Sequence, residues 1–109
     1  MICRIWHGWT TLPNADAYDN YLQNELFPKV QRELAPTGYL GFQLLRHKHG
    51  TEVEFVTMLW FKSLESVKGF AGQNYSTAVI SDKAKSLLSR FGDRVEHYEL
   101  SASSFPILK

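Results

Sequence analysis

Cysteine is nearly absent: among 109 residues only Cys3 carries a thiol. That excludes a disulfide framework and any multi-cysteine zinc or iron–sulfur site. An excess of one charge is missing too. Twelve Lys and Arg against eleven Asp and Glu leave a net charge of +1, with no basic stripe of the kind that tracks nucleic acid. No apolar run approaches the ~20 residues that cross a bilayer. No basic-then-apolar leader precedes the first residues, so a cytoplasmic, reduced protein is expected, with neither nucleic acid nor membrane as partner. The chain has no glycine-rich nucleotide loop, no serine nucleophile elbow and no paired-histidine metal motif on a helix. It also has no linker, low-complexity stretch or internal repeat. Residues 1–109 therefore read as a single domain, with 101–109 as a C-terminal tail.

What the chain has in quantity is aromatic residues: seven Phe, five Tyr and three Trp. Residues 2–10 mix β-branched and aromatic side chains and read as a strand. Asn14 is a candidate N-cap, and Ala15, Tyr18, Leu22, Leu26, Val30 and Leu34 then recur at helical spacing. Pro28 falls inside that helix, so a kink or break is expected near residues 25–27. Residues 35–38 end the helix. Residues 39–47 and 52–61 read as two strands of a hairpin turning at His49 and Gly50. Ser63 with Ser66 opens a short helix to about Ala71. Gly72, Gln73 and Asn74 interrupt it, and Tyr75, Val79 and Ile80 fit a further helical turn. Asp82 caps a helix carrying Ala84, Leu87, Leu88 and Phe91 inward, closed by Gly92. Residues 94–100 form a last strand.

The order β-α-β-β-α-α-β, with right-handed crossovers, predicts an α+β fold: a ferredoxin-like sandwich on an antiparallel sheet with the first strand in the middle. Alternation then sorts the side chains. The more apolar set contains Cys3, Ile5, Leu40, Phe42, Leu44, Val53, Phe55, Leu59 and Val95. It is assigned to the helix-covered side, and with it go His7, Trp9, Thr57 and His97. The opposite face still carries Trp6, Val56, Met58, Trp60, Leu45, Tyr98 and Leu100, with Arg4, Gln43, Glu54 and Glu96 scattered among them. That is more apolar surface than a soluble monomer tolerates, and a second copy about a two-fold axis is the simplest cover.

The segments MICRIWHGWT, EVEFVTMLWFKSLESVKGFAG and LLSRFGDRVEHYEL resemble the antibiotic biosynthesis monooxygenase superfamily, and within it the small uncharacterised bacterial members. The resemblance spans about residues 1–100. It implies a homodimeric α+β barrel, two ferredoxin-like sheets face to face, with a pocket between the helices and the sheet of each subunit. The superfamily includes cofactor-free oxygenases that turn phenols or quinols into quinones, haem-degrading enzymes, and proteins of no known activity. The Trp60-to-Glu65 segment matches its strand-end signature. The haem-degrading branch uses a first-strand Asn, a helix Trp and a His ten residues later; here Trp6 and His7, Phe70 and Ile80 stand there. No cofactor and no metal is therefore expected.

In such a pocket, His7 and His97 are candidate bases, because an imidazole titrates near neutrality; the more ordinary reading of each is a structural histidine bonded to backbone or carboxylate. Trp9, Thr57, Phe61 and Phe70 are candidates to line a flat site for a small aromatic ligand, although aromatics at these spacings also make ordinary core. Asn74 and Tyr75, beside the helix interruption, are candidates to hold a substrate oxygen; Asn74 also suits a plain turn. Arg4 with Glu54 or Glu96 reads as an interface ion pair. His47-Lys48-His49 has the look of a metal or phosphate motif but falls on the hairpin tip, where a solvated turn is the simpler reading. The leading function is cofactor-independent monooxygenation of a small aromatic or polyketide-like compound. The alternative is a non-enzymatic small-molecule-binding or stress-response protein of the same fold.

Overall fold

The computed structural model describes residues 1–34, 38–78 and 80–104. The turn expected at 35–37, Val79 and the apolar end of the tail lie outside the described residues. The first strand, β1 (Ile2–Thr11), runs directly into helix α1 (Leu12–Tyr21). Thr11, not Asn14, takes the N-cap position, without a side-chain cap bond, and Pro13 sits in the first turn, where its missing N–H costs nothing. Asn14 is thereby carried inside the helix.

Pro28 leaves its mark one turn upstream. It cannot donate to the carbonyl four residues back, and Leu22–Leu26 widens into a π-helical turn closed by the Phe27 N–H donating to the Leu22 carbonyl. Helix α2 (Phe27–Leu34) resumes beyond it. Of the kink or break expected near residues 25–27, the structure has no break: a one-turn π-helical widening carries the helix on.

Strands β2 (Tyr39–His49) and β3 (Glu52–Phe61) form the hairpin. β2 runs two residues longer than its pattern suggests, and the two-residue turn places Gly50 at φ 60°, a conformation only glycine adopts without strain. Ser63 caps helix α3 (Leu64–Ala71), its Oγ accepting from the Ser66 N–H at 3.3 Å. Helix α4 (Asp82–Leu87) is shorter than expected and is capped by Ser81, not Asp82. Leu88 is extended, and Phe91 leaves the helix to pair with β1 in the two-residue strand β4 (Arg90–Phe91), where it is exposed. Strand β5 (Glu96–Glu99) also pairs with β1.

The sheet order is β2-β3-β1 with β4 and β5 along the free edge of β1, all antiparallel. That is the ferredoxin-like arrangement, with the first strand central, as the element order predicts. Helices cover one face. Its core is built on Tyr18, Leu22, Phe55, Phe61 and Val67, all at most 2% exposed. Tyr18 meets Phe55 edge-on at 5.0 Å between centroids.

The register corrects the side assignment of β1. Ile2, Arg4, Trp6, Gly8 and Thr10 stand opposite Phe61, Leu59, Thr57, Phe55 and Val53, and directly opposed residues share a face. Arg4 and Trp6 therefore lie under the helices, whereas Cys3, Ile5, His7 and Trp9 occupy the outer face with Glu54, Val56, Met58 and Trp60. The two alternating sets of β1 differ little in apolarity, so the sequence pattern alone had chosen the wrong one. Strands β3 and β5 follow the expected sides, and so does β2 from Phe42 onward; at its start a bulge between Tyr39 and Gly41 sets Tyr39, not Leu40, opposite Phe61 in the core.

Candidate functional site: a cationic, apolar cleft

A cavity of about 290 Å³ lies between the helices and the sheet. Tyr18, Leu22, Phe27 and Val30 wall it from the helices, and Trp6, Thr57, Leu59 and Phe70 wall it from the sheet and α3. Its other polar groups are Arg4, Lys29 and Ser81, and among the described residues no carboxylate lines it.

Arg4 is the centre of this arrangement. It is 4% exposed, and none of the ion pairs among the described residues includes it. Its Nη1 donates to the Tyr75 carbonyl at 2.6 Å and to His97 Nε2 at 3.1 Å, and its Nη2 donates to the Thr77 carbonyl at 3.3 Å. Phe70 lies against the guanidinium, 5.3 Å from ring centroid to Cζ. A guanidinium has five N–H donors; these bonds use three of them. Burial pulls Arg4 down to about 10, so the group stays charged at neutral pH.

The Gly72–Asn74 interruption supplies these acceptors. It leads into a turn in which the Thr77 N–H donates to the Asn74 carbonyl at 3.1 Å, and the turn is pinned to the approach of β5 by Ala78 N–H to Asp93 O at 3.0 Å and Val95 N–H to Ser76 O at 2.9 Å. Tyr75 and Thr77 thereby aim their carbonyls at Arg4.

His97 stands directly opposite Arg4 in the β1–β5 register. Because Arg4 donates to Nε2, the ring proton resides on Nδ1. Burial, and then the charge of Arg4, lower its pKa, against a smaller upward pull from Glu96. The ring packs edge-on to Tyr75 at 5.3 Å.

Of the residues singled out from the sequence, Thr57 and Phe70 line the cavity, and His97 and Tyr75 touch Arg4 behind its wall. Phe61 is fully buried core packed on Phe70, and Asn74 is an exposed turn residue. His7 and Trp9 are elsewhere. His7 Nδ1 bonds Glu54 Oε2 at 2.8 Å on the outer face, and Trp9 lies beneath the Arg90 guanidinium at 4.1 Å. Arg4 does not pair with Glu54 or Glu96; the register puts those carboxylates on the other side of the sheet. Arg4 and Trp6 are the cavity residues that sequence reasoning missed. The signal for Arg4 was available: a lone guanidinium inside an otherwise buried strand.

No family model and no curated protein matches the chain. Among solved structures, it superposes on a crystal structure from Bacillus cereus described as a "putative antibiotic biosynthesis monooxygenase", with a TM-score of 0.65 over 98% of this chain and 97% of that one, at 13% identity. The two proteins share a fold. At that identity the likeness carries the ferredoxin-like architecture expected from the sequence resemblance, and the chemistry has to be argued from the cleft itself. No helix among the described residues is long and apolar enough to cross a membrane.

Proposed function

We propose that the cleft binds a small aromatic compound as its anion, and that the protein is a cofactor-independent monooxygenase acting on a phenol, quinol or anthrone-like substrate. One observation carries the reading: Arg4, buried and charged, faces an apolar cavity in which no described residue offers it a carboxylate. A buried cation without a counter-charge is costly, and a phenolate or enolate oxygen in the cavity supplies that charge. Phe70 and Trp6 give flat apolar contact.

The chemistry is then deprotonation followed by reaction with dioxygen. His97, neutral at physiological pH, takes the substrate proton on Nε2 as the oxyanion displaces it from Arg4. The electron-rich carbanion form reacts with O₂, an activated CH₂ becomes C=O, and the second oxygen atom leaves as water. Arg4 holds the anion through both stages. The base role considered for His7 passes to His97, because His7 lies across the sheet.

The outer face supports a homodimer. Ile5, Val56 and Met58 are only partly covered there, and Leu45 and Tyr98 are 53% and 56% exposed. A single free cysteine suits a reducing, cytoplasmic setting.

Oxygen uptake with a quinol or an anthrone tests the proposal. Turnover by the wild type, reduced about 10²-fold or more in Arg4→Gln, is expected. A second reading, a binding protein using the same cleft, is favoured by the position of His97, which touches Arg4 but does not itself line the cavity. Arg4-dependent binding of an aromatic anion without oxygen uptake selects that reading. Binding that ignores Arg4 overturns both.

A further inference from the structure

The outer face of the sheet carries a second cluster, remote in chemistry from the cleft. We propose that His47, His49 and Glu54 bind one divalent transition-metal ion of the zinc class, with His7 holding the carboxylate in place.

Strand geometry assembles the set. His47 and His49 are two apart on β2 and so share a face; the hairpin register puts Glu54 opposite His47. One donor atom from each of the three lies within 4.8 Å of the others. His49 Nε2 is 3.2 Å from Glu54 Oε1, and the rings of His47 and His49 meet at 4.0 Å between centroids. In a tetrahedral zinc site with bonds of about 2.1 Å, ligand atoms sit about 3.4 Å apart. The His49–Glu54 pair is already at that spacing, and exposed His47 closes the remainder by side-chain rotation.

Two neighbours prepare the site. His7 Nδ1 engages Glu54 Oε2 at 2.8 Å, which fixes the carboxylate and leaves Oε1 toward the two imidazoles. Such a hydrogen-bonded partner behind a metal-binding carboxylate is the usual support of a metal ligand. Glu52 lies on the same face but is engaged elsewhere, with Arg90 Nη2 at 3.0 Å and Ser89 Oγ at 3.0 Å, so one carboxylate is free to serve the histidines and the other is not. Two imidazoles and one carboxylate suit Zn²⁺, Ni²⁺ or Cu²⁺ rather than Mg²⁺ or Ca²⁺, and three protein ligands leave a position for water. The sequence showed the His47-Lys48-His49 motif; what it could not show is that the hairpin folds Glu54 against it.

Calorimetric titration of the tag-free, chelator-treated full chain with ZnCl₂ tests the site. One ion per chain is expected, with affinity reduced at least ~10-fold in Glu54→Gln and about 10-fold in His7→Phe, and abolished in the His47→Ala, His49→Ala double variant. His47 and His49 are exposed beside the hairpin turn, away from Met58 at mid-sheet, and circular dichroism verifies that each variant is folded. In the wild type, proton NMR should show the imidazole resonances of His47 and His49 shifting on zinc addition while those of His97 stay in place. Absence of zinc binding, binding unchanged in the double variant, or a shift confined to His97 overturns the proposal.

Discussion

Arg4 donates to His97 Nε2 across the β1–β5 ladder at 3.1 Å, with both residues on the helix-covered face. One bond thus joins the buried positive charge of the cleft to the titratable group beside it. It fixes the imidazole tautomer, and the charge of Arg4 helps to keep the ring neutral.

Arg4→Met removes the charge together with three donated hydrogen bonds, leaving the Tyr75 and Thr77 carbonyls and His97 Nε2 without their donor. A buried acceptor left unpaired costs about 1–3 kcal/mol, so the variant unfolds at lower urea concentration than the wild type. Its affinity for an aromatic carboxylate or phenolate falls at least ~10-fold, the size of a lost charged hydrogen bond. Fluorescence of Trp6, which lines the cavity, reports the binding. Arg4→Lys keeps the charge but not the fork of donors, and falls between the two. Equal affinity in wild type and Arg4→Met would remove the anion site.

His97 gives stability a pH dependence of definite sign. Its folded pKa lies below the unfolded value of 6.5, so on acidification the unfolded chain takes up a proton first. Stability is therefore full above about pH 6.5 and declines as pH falls through the window between the unfolded and the folded pKa. The charges acting on the ring are Arg4, bonded to it on the same face, which deepens the effect, and the adjacent Glu96 on the opposite face of β5, which opposes it. His97→Gln keeps an acceptor for Arg4 and does not titrate, so its urea midpoint should change less over that window. Identical pH profiles in the two proteins contradict the assignment.

The elements and their order were legible from periodicity, because turn residues and alternation are local. The hairpin at 39–61 and the Ser63 cap follow directly from Gly50 and the Ser63–Ser66 spacing. The cleft was not legible, because which side of β1 faces the helices depends on a one-residue choice of register. Thr57 and Phe70 were found because β3 and α3 carry unambiguous apolar patterns. Arg4 and Trp6 were missed because the two alternating sets of β1 are nearly equal in apolarity and the one with Cys3 and Ile5 reads as the core side, whereas the turn at 75–77 supplies the carbonyls that make Arg4 tolerable inside. The Phe91 assignment failed for a related reason: helical spacing continues past Leu87, but pairing with Gly8 wins the segment for the sheet.

The outer face yields the dimer prediction. Light scattering at micromolar concentration should give a dimer; an obligate interface of this type buries at least ~2,000 Å² in total. Met58 sits mid-strand on that face between Ile5 and Gln43 in the register, so Met58→Asp places a carboxylate in the middle of the interface and should yield monomer. Of the tryptophans expected on this surface, Trp6 lies on the helix-covered face and Trp60, though on the outer face, is buried within the single chain. A Met58→Asp protein that remains fully dimeric rules out the face.

Gly8 sets the shape of the cleft from behind. It stands opposite Phe55 on the helix-covered face, and a Cβ there would lie 3.1 Å from Trp6 Cη2 and 3.2 Å from Leu88 Cδ2. The indole occupies the space a side chain would take, and it is held there by Trp6 Nε1 donating to the Gly92 carbonyl at 2.5 Å. Gly8→Ala asks both neighbours to give by a few tenths of an ångström and should be tolerated at modest cost. Gly8→Val adds two further methyl groups against the same ring, overpacking worth about 1–3 kcal/mol. The ring lines the cavity, so its displacement changes the cavity wall. The valine variant should therefore lose stability in urea unfolding and, independently, lose affinity for the aromatic ligand, with the Trp6 emission shifted in the unliganded protein. Unchanged emission and unchanged ligand affinity in a destabilised Gly8→Val protein would show that the indole does not wall the cleft.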